Sequence, residues 1–187
     1  MESTFTFLDV PRARDARHDY SPFRGTATPI VIDNGAGKCR AGWASEKDPR
    51  LVFDNLVAKP RFKKEETVST YLAGSDISYD HLVRWALRCA AEFCPRSHLR
   101  RSPHDNGIVT QWDAQEQILD HAFERLGIDT DGAVHHPIAM TECVCNPNFS
   151  RSKMSELLFE CYGVPRIAYG IDSLFSLYQN DKAVSLI

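Results

Sequence analysis

Asp33-Asn34-Gly35-Ala36-Gly37 combines the residue types needed to hold a phosphorylated ligand. It lies within Pro29–Trp43, PIVIDNGAGKCRAGW, where β-branched Val31 and Ile32 run into Asn34-Gly35. Asn-Gly tolerates positive φ and is the strongest short-range signal for a hairpin. A hairpin tip made of small residues leaves backbone N–H groups uncovered, and such amides can converge on an anion. Asp33, at the end of the first strand, is placed to hold a hydrated Mg²⁺ beside a phosphate. No GxxxxGK[ST] run occurs, so this is not a Walker loop. The same Asn-Gly signal also closes plain hairpins, and the residues alone leave both readings open.

Other reactive side chains read as structural. Asp172 precedes the apolar-periodic run Ser173–Tyr178 and reads as its N-cap. His135-His136 precede a strand, where neighbouring side chains point opposite ways and make a poor metal pair. Cys143 and Cys145 read as alternating along an extended segment, so that they face opposite sides. Cys89 and Cys94 fall on a helical pattern and no CxxC pair exists, so free buried thiols in a reducing compartment are expected. The basic stretches Lys59–Lys64 and Arg96–Pro103 read as solvated loops.

The elements that position these groups follow from periodicity. Leu51–Val57 reads as a third strand after the hairpin. His81–Cys94 carries Leu82, Trp85, Cys89 and Phe93 close to one helical face and ends at Pro95. Asp113-Ala114-Gln115-Glu116 reads as a capping box, with Trp112 stapling its entry. The helix that it opens places Ile118, Leu119, Ala122, Phe123 and Leu126 on one face and stops at Gly127. After a turn at Asp129–Gly132, His136–Thr141 reads as a buried strand. Asn146-Pro147 opens a helix with Met154, Leu157, Leu158, Cys161 and Tyr162 apolar, closed by Gly163. Arg166–Ile171 is a further strand. Leu174, Leu177 and Tyr178 recur at helical spacing and are expected to pack the last helix. Strands that cluster first and then alternate with helices indicate α/β with a mixed sheet.

At 187 residues, 43% hydrophobic and 25% charged, the chain has globular composition. A net charge of −3 gives no electrostatic case for nucleic acid as the direct partner. No apolar run approaches the ~18 residues of a membrane span, and the first twenty residues lack signal-peptide shape. Residues 1–24 read as a loosely ordered arm. Ala183–Ile187 reads as the start of a strand, from which the chain is expected to be a fragment.

DNGAG, RAGW, PRLVF and KPR, then Gly107–Asp113 (GIVTQWD), His136–Glu142 (HPIAMTE) and Asn146-Pro147, occur in one order. In these blocks the chain resembles actins and actin-related proteins from Pro29 to Tyr178, except roughly Phe62–Leu99. Asn146–Tyr178 resembles a chromatin-associated branch of that family, found in the Ino-eighty remodelling complex. The resemblance implies an actin-like, ribonuclease-H-like core that contributes the first half of a nucleotide cleft. It places residues 25–61 and 100–187 in the first subdomain and 62–99 in a small variable second one. It implies ATP or ADP held by Asp33, the amides of Asn34–Gly37 and Arg40, with Mg²⁺ on Asp33 through water.

Three departures bear on catalysis. Ala36 stands where actin has a serine, removing a hydroxyl donor, and Arg40 stands where actin has a lysine. Asp172 stands where actin has the glutamine that helps orient the attacking water, a role that a shorter, charged side chain does not reproduce. The resemblance therefore implies a nuclear, non-enzymatic platform subunit acting in transcription regulation, DNA repair and recombination. Its partners would be the remodeller's ATPase subunit and a small companion subunit, with the nucleosome reached through the assembly and no membrane involved. The alternative is a cytoskeletal actin-like ATPase that polymerises. A small-molecule kinase of the same superfamily would need a carboxylate base that is not evident here.

Overall fold

The computed structural model describes residues 17–60, 72–73, 98–129 and 133–180. The helix expected over His81–Cys94, nearly all of the 62–99 unit, most of the Asp129–Gly132 turn and the Ala183–Ile187 strand lie outside the described residues.

The hairpin forms as expected. β1 (Ile30–Asn34) and β2 (Lys38–Trp43) pair antiparallel, from Ile30 opposite Trp43 to Asn34 opposite Cys39. β3 (Leu51–Asp54) adds antiparallel to β2. The expected third strand does not run on to Val57, because the backbone leaves the sheet at Asn55-Leu56. β4 (Val57–Pro60) joins a second sheet with β5 (Leu72–Ala73) and β6 (His98–Arg101). His98–Arg101, expected to be loop, is therefore a strand, paired antiparallel with β4. β7 (His104–Asp105) and β8 (Ile108–Val109) form a small hairpin whose turn puts Asn106 and Gly107 at positive φ.

Helix α1 spans Trp112–Arg125. Its N-cap is Gln111 and no side chain caps it, so the Asp113 capping box is not formed. The first turn already closes between Gln115 N–H and Gln111 C=O at 3.0 Å. Trp112, packed against the core, is itself helical, and Asp113 falls within the first turn. The apolar stripe is as expected: Ile118, Leu119, Ala122, Phe123 and Leu126 are fully buried. Each such large side chain contributes roughly 1.5–3 kcal/mol by its burial. Gly127, at φ +86°, ends the helix in the left-handed conformation that glycine adopts without penalty.

β9 (Ile138–Glu142) runs parallel to β1 and starts two residues after the expected position. α2 (Asn148–Glu156) begins after Pro147 and passes into a π-helical turn over Leu157–Cys161. β10 (Ile167–Ile171) pairs parallel with β9, and α3 (Asp172–Asn180) follows directly. The main sheet has the order β10-β9-β1-β2-β3, a mixed sheet with flanking helices and the α/β architecture read from the sequence.

The two faces of this sheet differ. Ile30, Ile32, Cys39, Ala41, Leu51, Phe53, Ile138 and Met140 are buried in one continuous core with the α1 stripe. On the other face Val31 and Val52 are exposed, and so are Leu174, Phe175 and Tyr178 of α3. Of the α3 residues expected to pack, Leu174, Leu177 and Tyr178, Leu177 is half-buried and the other two are exposed. Helical spacing correctly shows that they share a face, but no described element covers it.

At the Trp43 end of the sheet, residues 17–24 are packed. His18 N–H donates to Arg125 C=O at 2.8 Å, and Phe23 stacks on Trp43 with centroids 4.0 Å apart. Tyr20 OH meets His136 Nε2 at 2.8 Å, while His136 Nδ1 meets Thr28 C=O at 2.9 Å. The carbonyl can only accept, so Nδ1 carries the proton and Nε2 accepts from Tyr20. His136 is thus a buried structural histidine, and His135 beside it is exposed.

Candidate functional site

The tip of the β1–β2 hairpin is organised by its carbonyls. The Asn55 side-chain amide donates to Gly35 C=O at 2.9 Å, and Asn55 N–H donates to Gly37 C=O at 3.1 Å. Ser102 Oγ reaches Ala36 C=O at a longer 3.4 Å. His104 N–H donates to Ser102 Oγ at 3.2 Å, which helps to place that hydroxyl. Three successive carbonyls, Gly35 through Gly37, are therefore held by residues outside the hairpin.

Beneath the tip lies a buried relay of amides. Asn55 Nδ2 donates to Asn34 Oδ1 at 2.9 Å, and Asn34 Nδ2 donates to Gln115 Oε1 at 3.0 Å. Because Gly35 C=O can only accept, Asn55 must turn its NH₂ toward it. That choice fixes the orientation of Asn34 and then of Gln115. Burial holds the His104 pKa below the ordinary imidazole value, so the ring is neutral near pH 7.

Asp33 is held from two sides. Its Oδ1 accepts from Thr141 Oγ1 at 2.8 Å, and its Oδ2 accepts from Arg40 Nη1 at 2.7 Å. Thr141 Oγ1 in turn accepts from Asn34 N–H at 3.1 Å, which ties the end of β1 to the end of β9. Asp33 borders two open cavities on the outer sheet face, of about 370 and 400 Å³. The larger also touches Thr141, Tyr169, Gly170, Asp172 and Phe175, so both aspartates singled out from the sequence line one space. Arg40 borders the smaller. Asp172 Oδ1 accepts from Ser173 N–H at 2.6 Å, which commits part of that carboxylate to the start of α3.

The predicted site residues Asp33, Asn34, Gly35, Ala36, Gly37 and Arg40 fall together, but they do not all face the cavities. The Asn34 side chain is buried toward α1, where it serves the tip rather than a ligand. Arg40 is paired with Asp33. A Cβ on Gly35 would come within 2.9 Å of Lys38 C=O, whereas one on Gly37 would meet nothing within 4 Å. Gly37 thus marks the open side of the tip. Cys39, between Gly37 and Arg40 in sequence, is buried under the sheet; burial, and then the charge of Asp33, pushes its thiol up to about 12 and leaves it unreactive.

Asn55, Ser102, His104 and Gln115 were not singled out from the sequence. Asn55 carried the available signal, a polar residue at an inward position of an alternating strand. Cys143 and Cys145 do not lie on an extended segment: Asn146 N–H bonds to Cys143 C=O and Cys145 has φ +59°, so they flank a turn. Beyond that turn Arg151 grips Glu142 through two bonds of 2.6 and 3.0 Å. That contact chiefly holds the Glu142 carboxyl below its usual range. Among the described residues no cluster of three or more His, Cys, Asp or Glu could hold a metal. No described helix is long and apolar enough to cross a membrane.

Residues 25–187 match the family model described as Actin. The chain is 48% identical over 157 residues to actin-like protein arp5 of Schizosaccharomyces pombe, a match covering 84% of this chain and 19% of that one. It is 46% identical over 162 residues to actin-related protein 5 of Arabidopsis thaliana, covering 87% and 21%. Against actin-related protein 5 of Homo sapiens the identity is 40% over 191 residues, covering 98% and 29%. The chain thus spans between about a fifth and three tenths of the length of these relatives.

Proposed function

Because this chain belongs to the actin family, we propose that it acts as an actin-like platform in a nuclear, ATP-dependent chromatin remodeller of the Ino-eighty kind, gripping nucleotide without turning it over efficiently. Its partners in this reading are the remodeller's ATPase subunit and a small companion subunit. Histones and DNA are met through the assembly, as the net charge of −3 favours.

The residues present fit a magnesium nucleotide. The tip carbonyls are all turned onto the protein, Gly37 is open, and Asp33 and Asp172 line one cavity. Amides of Gly35–Gly37 would hold phosphate oxygens, the Asn34 N–H being taken by Thr141 Oγ1, and Asp33 would hold Mg²⁺ through water. The ion would supply charge neutralisation along the phosphates. Each Asp33 oxygen already accepts one hydrogen bond and retains capacity for a water.

The observation that carries the non-enzymatic half of the reading is Asp172. Where the resemblance puts a water-orienting amide, this chain has a carboxylate whose Oδ1 bonds to the first turn of α3. Two assays test the proposal. Labelled ATP should be retained by the wild-type chain and lost in Asp33→Ala, with negligible phosphate release; equal retention discards the site. In Mg²⁺-ATP the chain should stay in the supernatant on ultracentrifugation, and robust filaments would favour the cytoskeletal alternative.

A further inference from the structure

Backbone carbonyls at the hairpin tip are satisfied in an ordered series. Gly35 C=O takes the Asn55 side chain, Ala36 C=O the Ser102 hydroxyl and Gly37 C=O the Asn55 N–H. All peptide bonds described are trans. In a planar trans peptide the C=O of one residue and the N–H of the next point in opposite directions. Fixing these three carbonyls therefore aims the N–H groups of Ala36, Gly37 and Lys38 away from the residues that hold them.

We propose that Asn55 and Ser102 are positioning residues for a polyphosphate: they grip the tip by its carbonyls and thereby hold its amides in the array that an anion needs. This deepens the nucleotide reading and rests on it. Asn55 is central because it holds the Gly35 and Gly37 carbonyls at once, through side chain and backbone. It also fixes Asn34 through Nδ2, and Asn34 N–H is anchored on Thr141. An unsupported Asn-Gly tip would interconvert among turn geometries, and the ordering cost would fall on binding. Here that cost is met on folding. Ala36 offers no hydroxyl to the phosphate, so this chain leans on amide orientation alone. The two residues come from different stretches, Asn55 after β3 and Ser102 after β6. A hairpin inspected in isolation does not reveal them.

The test compares wild type with Asn55→Ala, Asn55→Asp and Ser102→Ala. It measures affinity for a fluorescent ATP analogue and for adenosine, the thermal midpoint, and hydrogen exchange of the Ala36 and Gly37 amides. Asn55→Ala should weaken ATP about tenfold, as expected for two lost hydrogen bonds. Adenosine, which has no phosphates, should bind unchanged. Asn55→Asp keeps the shape but replaces the donor with an acceptor, and should lose at least as much. Ser102 is a surface-accessible position whose loss should weaken ATP about twofold to threefold without moving the midpoint, which keeps the test valid if Asn55 variants fail to fold. Faster exchange at Ala36 and Gly37 in these variants supports the proposal even where no nucleotide binds, in which case only the nucleotide reading falls. Equal ATP affinity and unchanged exchange in the folded variants would overturn it.

Discussion

The two ends of β1 are fixed by opposite means. At Ile30, Trp43 stacks on Phe23, meets Tyr20 at 6.0 Å and packs edge-on to His136 at 4.9 Å. At Asn34 the contacts are amides and a hydroxyl, from Asn55, Gln115 and Thr141, with the Ser102 hydroxyl two residues on at Ala36. Aromatic packing is strong but non-directional and seals the end where residues 17–24 cross. Hydrogen bonds are directional, so they can set which way a peptide faces. A fold that must present backbone amides to a ligand gains from the second kind at that end only.

The largest effect should come from breaking the aromatic end. Trp43→Ala removes a side chain only 2% exposed and should cost about 3–5 kcal/mol in denaturant unfolding. In the folded fraction the exchange of the Ala36 amide should not change, since none of its partners touches Trp43. Next comes the polar end. Gln115→Leu orphans the buried Asn34 Nδ2 and should cost about 1–3 kcal/mol. Unlike Trp43→Ala, it should also speed exchange at the tip. If both variants alter the tip equally, the division between the ends is false.

The two ends share a pH response. His104 and His136 both have pKa values lowered from 6.5, with burial the first cause in each. Below pH 6.5 the unfolded chain binds protons that the folded chain refuses, so stability is fully present above that pH and declines as pH falls. Thermal midpoints should drop from pH 7 toward pH 5. His136→Gln should flatten the part of this slope that arises at the aromatic end, leaving that of His104 at the tip; an unaltered slope would remove His136 from the account. The smallest effect belongs to the exposed Lys38–Asp54 ion pair at 3.0 Å, flanking the tip. Lys38→Ala should change stability by no more than about 0.5 kcal/mol by denaturant titration.

Sequence patterning revealed the hairpin, the α1 stripe and the alternating strand and helix order, because these depend on local chemistry and on one buried face. It failed where tertiary partners decide. Leu51–Val57 keeps its in-and-out alternation, yet Asn55 is drawn to the tip and the chain changes sheets. Asp113 has the spacing of a cap, but anchoring of Trp112 starts the helix two residues earlier, with Gln111 as N-cap. Leu174, Phe175 and Tyr178 form a recognisable helical face, and periodicity does not show whether anything covers it. At the site, Asp33 and Gly35–Gly37 were legible from residue type. The supports Asn55, Ser102 and Gln115 were not, since they are brought in from 20 to 80 residues away.

The most direct measurement is a heteronuclear NMR titration of the chain with Mg²⁺-ATP, following the backbone amides of Ala36 and Gly37. The account predicts that these two signals shift and slow in exchange as nucleotide is added, with adenosine leaving them in place. Signals that stay fixed while ATP binds and moves residues elsewhere would contradict it.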